Sequence, residues 1–243
     1  FNQLTDRLQT TEEARRRFVS DASHELKTPL ASIRLLTDSI LQNDSVDMDT
    51  VREFVTDIGE EAERLTRISE HLLALTRLDA GEERPPEPVE LGRVADKVVH
   101  LLSPVARRAQ VELTCALEPA CALLATEDDI YQVAFNLVEN AIKYNLPGGR
   151  VEVGVKRRGD KVALTVTDTG LGIPQEDLPR IFDRFYRVDK ARSRAAGGTG
   201  LGLSIARDTA RVHGGDITAG PNPAGRGTRF EAEFPALREG EGP

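Results

Sequence analysis

One histidine, three asparagine- or glycine-bearing segments and one basic run carry most of the chemistry available to this 243-residue chain. His24 stands in Phe18-Val-Ser-Asp-Ala-Ser-His-Glu-Leu-Lys-Thr-Pro-Leu30. On a helix, Thr28 shares the face of His24, while Glu25 lies about 100° around the axis. Pro29 cannot donate to the Glu25 carbonyl and crowds it. A proline inside a helix costs about 3 kcal/mol, so this turn suits a place where local opening has a use. From these residues alone, a nucleophilic imidazole and a surface histidine on a charged face read equally well.

The other segments lie in the second half. Asn136, Asn140 and Lys143 are spaced by four and three, so they share one helix face. Two carboxamide oxygens and an ammonium suit Mg²⁺ plus phosphate; an ordinary polar outer face is the competing reading. Asp168-Thr-Gly-Leu-Gly-Ile173 follows a strand. A carboxylate there can accept the exocyclic amine of adenine, and glycines let backbone approach a ligand closely; a plain turn is the alternative. Ile181-Phe-Asp-Arg-Phe-Tyr-Arg187 opens a basic stretch: Arg180, Arg184, Arg187, Lys190, Arg192 and Arg194 against Asp183 and Asp189. In an acidic chain that favours a triphosphate over a solvated surface. Gly197-Gly-Thr-Gly-Leu-Gly-Leu-Ser-Ile205 runs into a helix, whose first N–H groups suit phosphate. There is no Gly-x-x-x-x-Gly-Lys-Ser/Thr, hence no P-loop. A dinucleotide fingerprint fails too, because a charged loop precedes the glycines and no βαβ unit follows.

These groups need elements to position them. Val19, Ala22, Leu26, Leu30, Ile33 and Leu36 recur at helical spacing. Polar Gln42-Asn43-Asp44-Ser45 interrupts the pattern. Val51, Phe54, Val55, Ile58, Leu65, Ile68, Leu72, Leu75 and Leu78 then resume it, with Asp47 or Asp49 as the cap. The result is a helical hairpin without a third layer for its apolar stripe. Pairing of two copies into a four-helix bundle is favoured over packing on the rest of the same chain. Gly81 to Pro88, with three prolines in four positions, reads as a linker. Beyond it, Leu91–Ala109, Glu127–Tyr144 and Leu203–Val212 read as helices. Val111–Leu117, Val151–Val155, Val162–Val166, Asp216–Ala219 and Thr228–Phe234 read as strands, with Lys156–Lys161 as a hairpin connection. That mixture predicts an α+β sandwich.

Composition narrows the function classes. Thirty-two Lys and Arg against 40 Asp and Glu give a net charge of −8, which weighs against gripping nucleic acid through its phosphates. With 30% charged and 39% hydrophobic residues, the chain is neither a membrane domain nor wholly disordered. No apolar run approaches the roughly 18 residues that span a bilayer. Cys115 and Cys121 are not spaced as metal ligands and read as idle thiols. The chain opens on Phe1, Leu4 and Leu8 at helical spacing, and its single methionine is Met48. A piece cut from a longer protein is the expectation.

Ser23-His-Glu-Leu-Lys-Thr-Pro-Leu30 resembles the H-box of sensor histidine kinases, the membrane receptors of two-component signalling. The four later segments resemble, in order, the N, G1, F and G2 boxes of the ATP-binding domain of that family. The resemblance covers roughly residues 15 to 235. It implies a dimeric helical hairpin followed by a two-layer α/β sandwich of the GHKL type. It makes His24 the phospho-acceptor. Glu25 would accept the other ring N–H, fixing the tautomer and sharpening the nucleophile. Thr28 would position the water that removes the phosphoryl group from a partner. Asn136 and Asn140 would hold Mg²⁺, and Lys143 and Tyr144 would approach ATP. Asp168 would read adenine, Gly170 and Gly172 would open a lid, and Gly198, Thr199, Gly200, Leu201 and Gly202 would form the phosphate loop. Arg187 would reach the γ-phosphate.

The implied organisation is a helical linker at 1–14 and a dimerisation and phosphotransfer domain at 15–80. A connecting segment at 81–88, an ATP-binding domain at 89–236 and a loose tail at 237–243 follow. The implied activity is autophosphorylation of His24 from Mg-ATP, transfer to an aspartate of a response regulator, and dephosphorylation of that regulator. No direct contact with nucleic acid is implied. Membrane spans would lie upstream of Phe1, making the chain the cytoplasmic part of a bacterial plasma-membrane receptor. Relatives of this ATP fold that hydrolyse ATP carry a glutamate four residues before the Mg²⁺-binding asparagine. Here that position is Asn136, which is no base, and transfer is favoured over a GHKL-type ATPase. A non-catalytic scaffold would show gaps in the boxes, and they are complete.

Overall fold

A computed structural model describes residues 2–42, 47–80, 85–189 and 198–237. Four predicted features therefore fall wholly or mostly outside the described residues: the turn at 43–46, linker positions 81–84, Lys190, Arg192 and Arg194 of the basic stretch, and the tail from 238 on. Helix α1 (Asn2–Gln42) and helix α2 (Met48–Ala80) form the hairpin. The helix α1 runs through Pro29 without a break: one lost hydrogen bond does not end a helix of about eleven turns packed against a neighbour. Asp47, not Asp49, caps α2. Its Oδ1 accepts the N–H groups of Asp49 and Thr50 at 3.0 and 2.9 Å, satisfying two donors that the first turn leaves free. Among the described residues of the hairpin, Ala22, Ile68 and Leu75 are buried hydrophobic side chains.

The second lobe is a sandwich. Strand β1 (Glu87–Glu90) is followed by α3 (Leu91–Arg108), β2 (Glu112–Leu117), β3 (Ala122–Ala125), α4 (Glu127–Lys143), β4 (Arg150–Arg158) and β5 (Lys161–Asp168). Helix α5 (Gly202–Val212), β6 (Asp216–Pro221) and β7 (Thr228–Pro235) complete it. The main sheet runs β2-β4-β5-β7-β6, parallel only between β2 and β4. β1 and β3 make a separate antiparallel pair. Inward residues alternate, as a sheet covered by helices on one face requires. Val151, Val153, Val155, Val162, Leu164, Val166, Phe230, Ala232 and Phe234 all join the core with α3 and α4.

Three sequence expectations need correction. Glu87 and Pro88, read as linker, belong to β1. The short strands β1 and β3 escaped notice because four residues show no period. The β4–β5 hairpin is longer than expected, with Arg158 paired to Lys161. Only Gly159 and Asp160 turn, and Gly159 supplies the positive φ of 64°.

Gly227 shows how tightly the sheet end is built. At φ 117°, a Cβ there would meet the Asp168 carbonyl oxygen at 1.9 Å. Gly227→Ala should cost about 3 kcal/mol or more from overlap and backbone strain. Thermal unfolding should show it as a drop of several degrees; an unchanged midpoint would refute this packing.

The sandwich rests on the hairpin. Leu201 and Ile205 bury against Leu75, with Phe18, Leu72, Leu78 and Phe185 around them. The rings of Phe18 on α1 and Phe185 lie 6.0 Å apart. Phe185 itself holds a left-handed φ of 64°, uncommon for an aromatic residue. Its N–H donates to the Gly200 carbonyl at 2.9 Å.

Candidate active site

A cavity of about 620 Å³ opens where α4, the end of β5, the segment before α5 and helix α2 converge. It is large enough for a nucleotide. From α4 come Asn136, Glu139, Asn140 and Lys143, with Tyr144 just beyond the helix. Asp168, Gly172, Arg187, Gly198, Thr199, Gly200 and Gly202 also line it. Eleven residues expected to meet nucleotide or metal thus lie on one wall system, although they are 66 positions apart at the extremes of the sequence.

Two expected residues stand elsewhere. Leu201 is fully buried against Leu75 and Ile205; the turn that exposes Gly200 and Gly202 to the cavity points the intervening side chain at the hairpin. Gly170 lies beneath the cavity, where a Cβ would meet the Tyr144 carbonyl oxygen at 2.5 Å. Its N–H donates to Asp168 Oδ1 at 2.8 Å, and the Thr228 N–H donates to the same oxygen at 3.1 Å. Burial raises the Asp168 pKa, while these two donors oppose the rise. With Oδ1 held by backbone, Oδ2 is the oxygen available to an amine donor.

The phosphate end is cationic. Burial first, then the guanidinium groups of Arg67, Arg187 and Arg64, brings Lys143 down to about 8, against the pull of Glu139. The Arg187 side chain is 4% exposed, and its buried Nε meets no acceptor among the described residues. Crowded cations and an orphaned guanidinium N–H fit an anion such as a triphosphate. Asn136 donates its Nδ2 to the Gln132 carbonyl at 3.0 Å, which leaves the oxygen end of the carboxamide for a hard cation. Two other arginines of the basic stretch are engaged elsewhere: Arg184 pairs with Asp208 at 3.2 Å and covers Phe18, and Arg180 covers Tyr186.

His24 is exposed on α1 and Thr28 is exposed beside it. The Thr28 hydroxyl donates to the His24 carbonyl at 3.2 Å. Glu25 does not turn to the His24 ring. Its Oε2 accepts from Arg187 of the sandwich at 2.6 Å and from Arg64 of α2 at 3.3 Å. The angular offset between adjacent helix positions explains this: Glu25 faces α2 and the second lobe while His24 faces solvent.

Four contributors escaped sequence reasoning. Arg64, Arg67 and His71 sit on α2, and Glu139 sits between the two asparagines. A helix of alternating charges gave the first three no local signal; only docking of the lobes brings them to the site. Thr199 Oγ1 and His71 Nδ1 are 3.0 Å apart. Burial, with Arg67 and Lys143 adding to it, lowers the His71 pKa from 6.5 to about 4. The docked ring is therefore neutral, whereas a ring freed by undocking takes a proton near pH 6.5. Docking should weaken as pH falls below 6.5, by about tenfold at pH 5.5. Small-angle scattering at pH 7.5 and 5.5 should show expansion at the lower pH, absent in His71→Phe. Equal dimensions at both pH values would contradict this linkage.

Comparison with known proteins agrees with this geometry. Residues 14–81 match the His Kinase A (phospho-acceptor) domain, and residues 125–238 match the histidine kinase-, DNA gyrase B- and HSP90-like ATPase domain. The sensor-like histidine kinase SenX3 of Mycolicibacterium smegmatis is 37% identical over 231 residues, 95% of this chain and 60% of that one. The chain thus spans less than two thirds of that relative. Among solved structures, full-length ShkA in complex with AMPPNP has a TM-score of 0.66 at 27% identity, covering 91% of this chain and 46% of that one. The histidine kinase ThkA in complex with the response regulator TrrA shares the fold, with a TM-score of 0.71 at 22% identity over 97% of this chain and 67% of that one. No helix among the described residues is long and apolar enough to cross a membrane. A phospho-acceptor hairpin joined to an ATP-binding sandwich defines the family, and this chain belongs to the sensor histidine kinases of two-component systems.

Proposed function

We propose that the chain uses Mg-ATP to phosphorylate His24 and passes the phosphoryl group to an aspartate of a response regulator. The observation that carries this reading is the Glu25–Arg187 pair at 2.6 Å. It sets the turn bearing His24 against a residue that lines the cavity. His24 is exposed, as a group must be that meets first a nucleotide and then a partner protein.

In this reading Asp168 accepts the adenine amine through Oδ2, and Tyr144 borders the nucleotide. Asn136 and Asn140 hold Mg²⁺, which when bound neutralises charge on the phosphate oxygens. Gly170 holds the Asp168 carboxylate in place. Gly172, Gly198, Thr199, Gly200 and Gly202 let backbone approach the phosphates, and Leu201 anchors that loop to α2. Lys143 and Arg187 stabilise the charge that develops during transfer. The neutral imidazole of His24 attacks the γ-phosphorus, the bond to the ADP oxygen breaks, and the ring proton leaves to solvent. Thr28 orients water for the opposite task, hydrolysis of the phosphorylated regulator.

Residues 15–80 serve as the dimerisation and phosphotransfer domain, and the ATP-binding domain begins with β1. Val19, Leu30, Leu35, Leu41 and Val55 are more than half exposed on the hairpin, apolar surface that a second copy would cover. The homodimer is the assembly we assign to it. A place on the cytoplasmic side of a bacterial plasma membrane follows from the sensor role of relatives and from the need for ATP.

Incubation with γ-labelled ATP and Mg²⁺ should give a protein-bound label that is acid-labile and base-stable. Rapid multiple-turnover phosphate release with no label on the protein would instead identify an ATPase. Addition of a receiver domain should then drain the label.

A further inference from the structure

The nucleotide cavity is not built from the sandwich alone. Arg67 and His71, one turn apart on α2, form part of its wall. His71 makes the more specific contact, with Nδ1 3.0 Å from Thr199 Oγ1. Thr199 belongs to the glycine-rich loop and is 6% exposed. Its Oγ1 already accepts the Leu201 N–H at 3.3 Å, so its own proton is free to serve His71. The ring must then present a bare Nδ1 and carry its proton on Nε2.

The loop is fastened at each of three successive residues. Thr199 meets His71, Gly200 accepts from Phe185, and Leu201 packs on Leu75, one helical turn beyond His71. Gly200 has little room to shift, since a Cβ there would touch the Phe185 backbone at 2.8 Å. The hairpin therefore sets the path of the segment whose glycines line the phosphate end.

We infer that His71 is a positioning residue for the nucleotide: by holding Thr199 it fixes the phosphate loop, so that the hairpin completes the ATP site. The inference rests on the ATP reading given above. Because binding free energies are reciprocal, nucleotide and hairpin docking strengthen each other by the same factor.

The test uses the full chain and initial rates of labelling from γ-labelled Mg-ATP. His71→Leu should raise KM for ATP about tenfold, the scale of one lost hydrogen bond, with a much smaller change in kcat. His71→Gln, whose carboxamide oxygen can accept the Thr199 hydroxyl, should recover most of the loss. Thr199→Ala should raise KM similarly, and His71→Leu added to it should raise KM no further. A wild-type KM in His71→Leu, no recovery in His71→Gln, or independent effects that multiply in the double variant would each overturn the inference while leaving the ATP reading intact. Failure of the unaltered chain to label at all would remove both.

Discussion

His24→Gln should abolish protein-bound phosphoryl label, a loss of at least roughly 1000-fold. Glutamine keeps a polar side chain of similar reach, but its amide nitrogen has no lone pair to offer a phosphorus atom. The position is exposed on α1, so neither packing nor docking depends on the ring. Affinity for Mg-ATP and the unfolding midpoint should stay as they are. That combination separates loss of the acceptor from loss of the fold. Label persisting in His24→Gln would place the acceptor on another residue.

Asn140→Asp should suppress labelling by two to three orders of magnitude, on the order of 3–4 kcal/mol of transition-state stabilisation. Asn140 lies three residues before Lys143 on the same face, and both line the cavity. A carboxylate there would pair with Lys143 and turn a cation-rich phosphate end towards neutrality. It would also repel the triphosphate directly. The side chain is half-buried at a cavity wall and not in the apolar core, so folding should survive. Retention of more than a tenth of wild-type labelling would show that this carboxamide does not serve the phosphate end.

Much of this was legible in the sequence because it was local. Helical spacing over residues 19–78 gave the hairpin, and alternation in β4, β5 and β7 gave the sheet. The asparagine, aspartate and glycine segments each carry their own spacing, and most of their residues do converge on one cavity. What could not be read depends on contacts between segments far apart in the chain. The partners of Glu25 lie 39 and 162 positions away, and the partner of His71 lies 128 away. Leu201 illustrates the same limit within a motif. Its neighbours face the ligand, but the reversal of direction at Gly200, with φ 73°, turns it to the hairpin. A glycine pattern reveals that backbone must come close to something. It does not reveal what the side chains between the glycines meet.

The sandwich grips both members of the hairpin at once: Phe18 and Glu25 on α1, and His71 and Leu75 on α2. These two handholds keep their spacing only while the helices keep theirs. Sliding or rolling one helix past the other by a fraction of the 5.4 Å pitch would pull one set away as the other held. The second lobe therefore works as a caliper, and a displacement entering along α1 would be measured before it reached the phosphate.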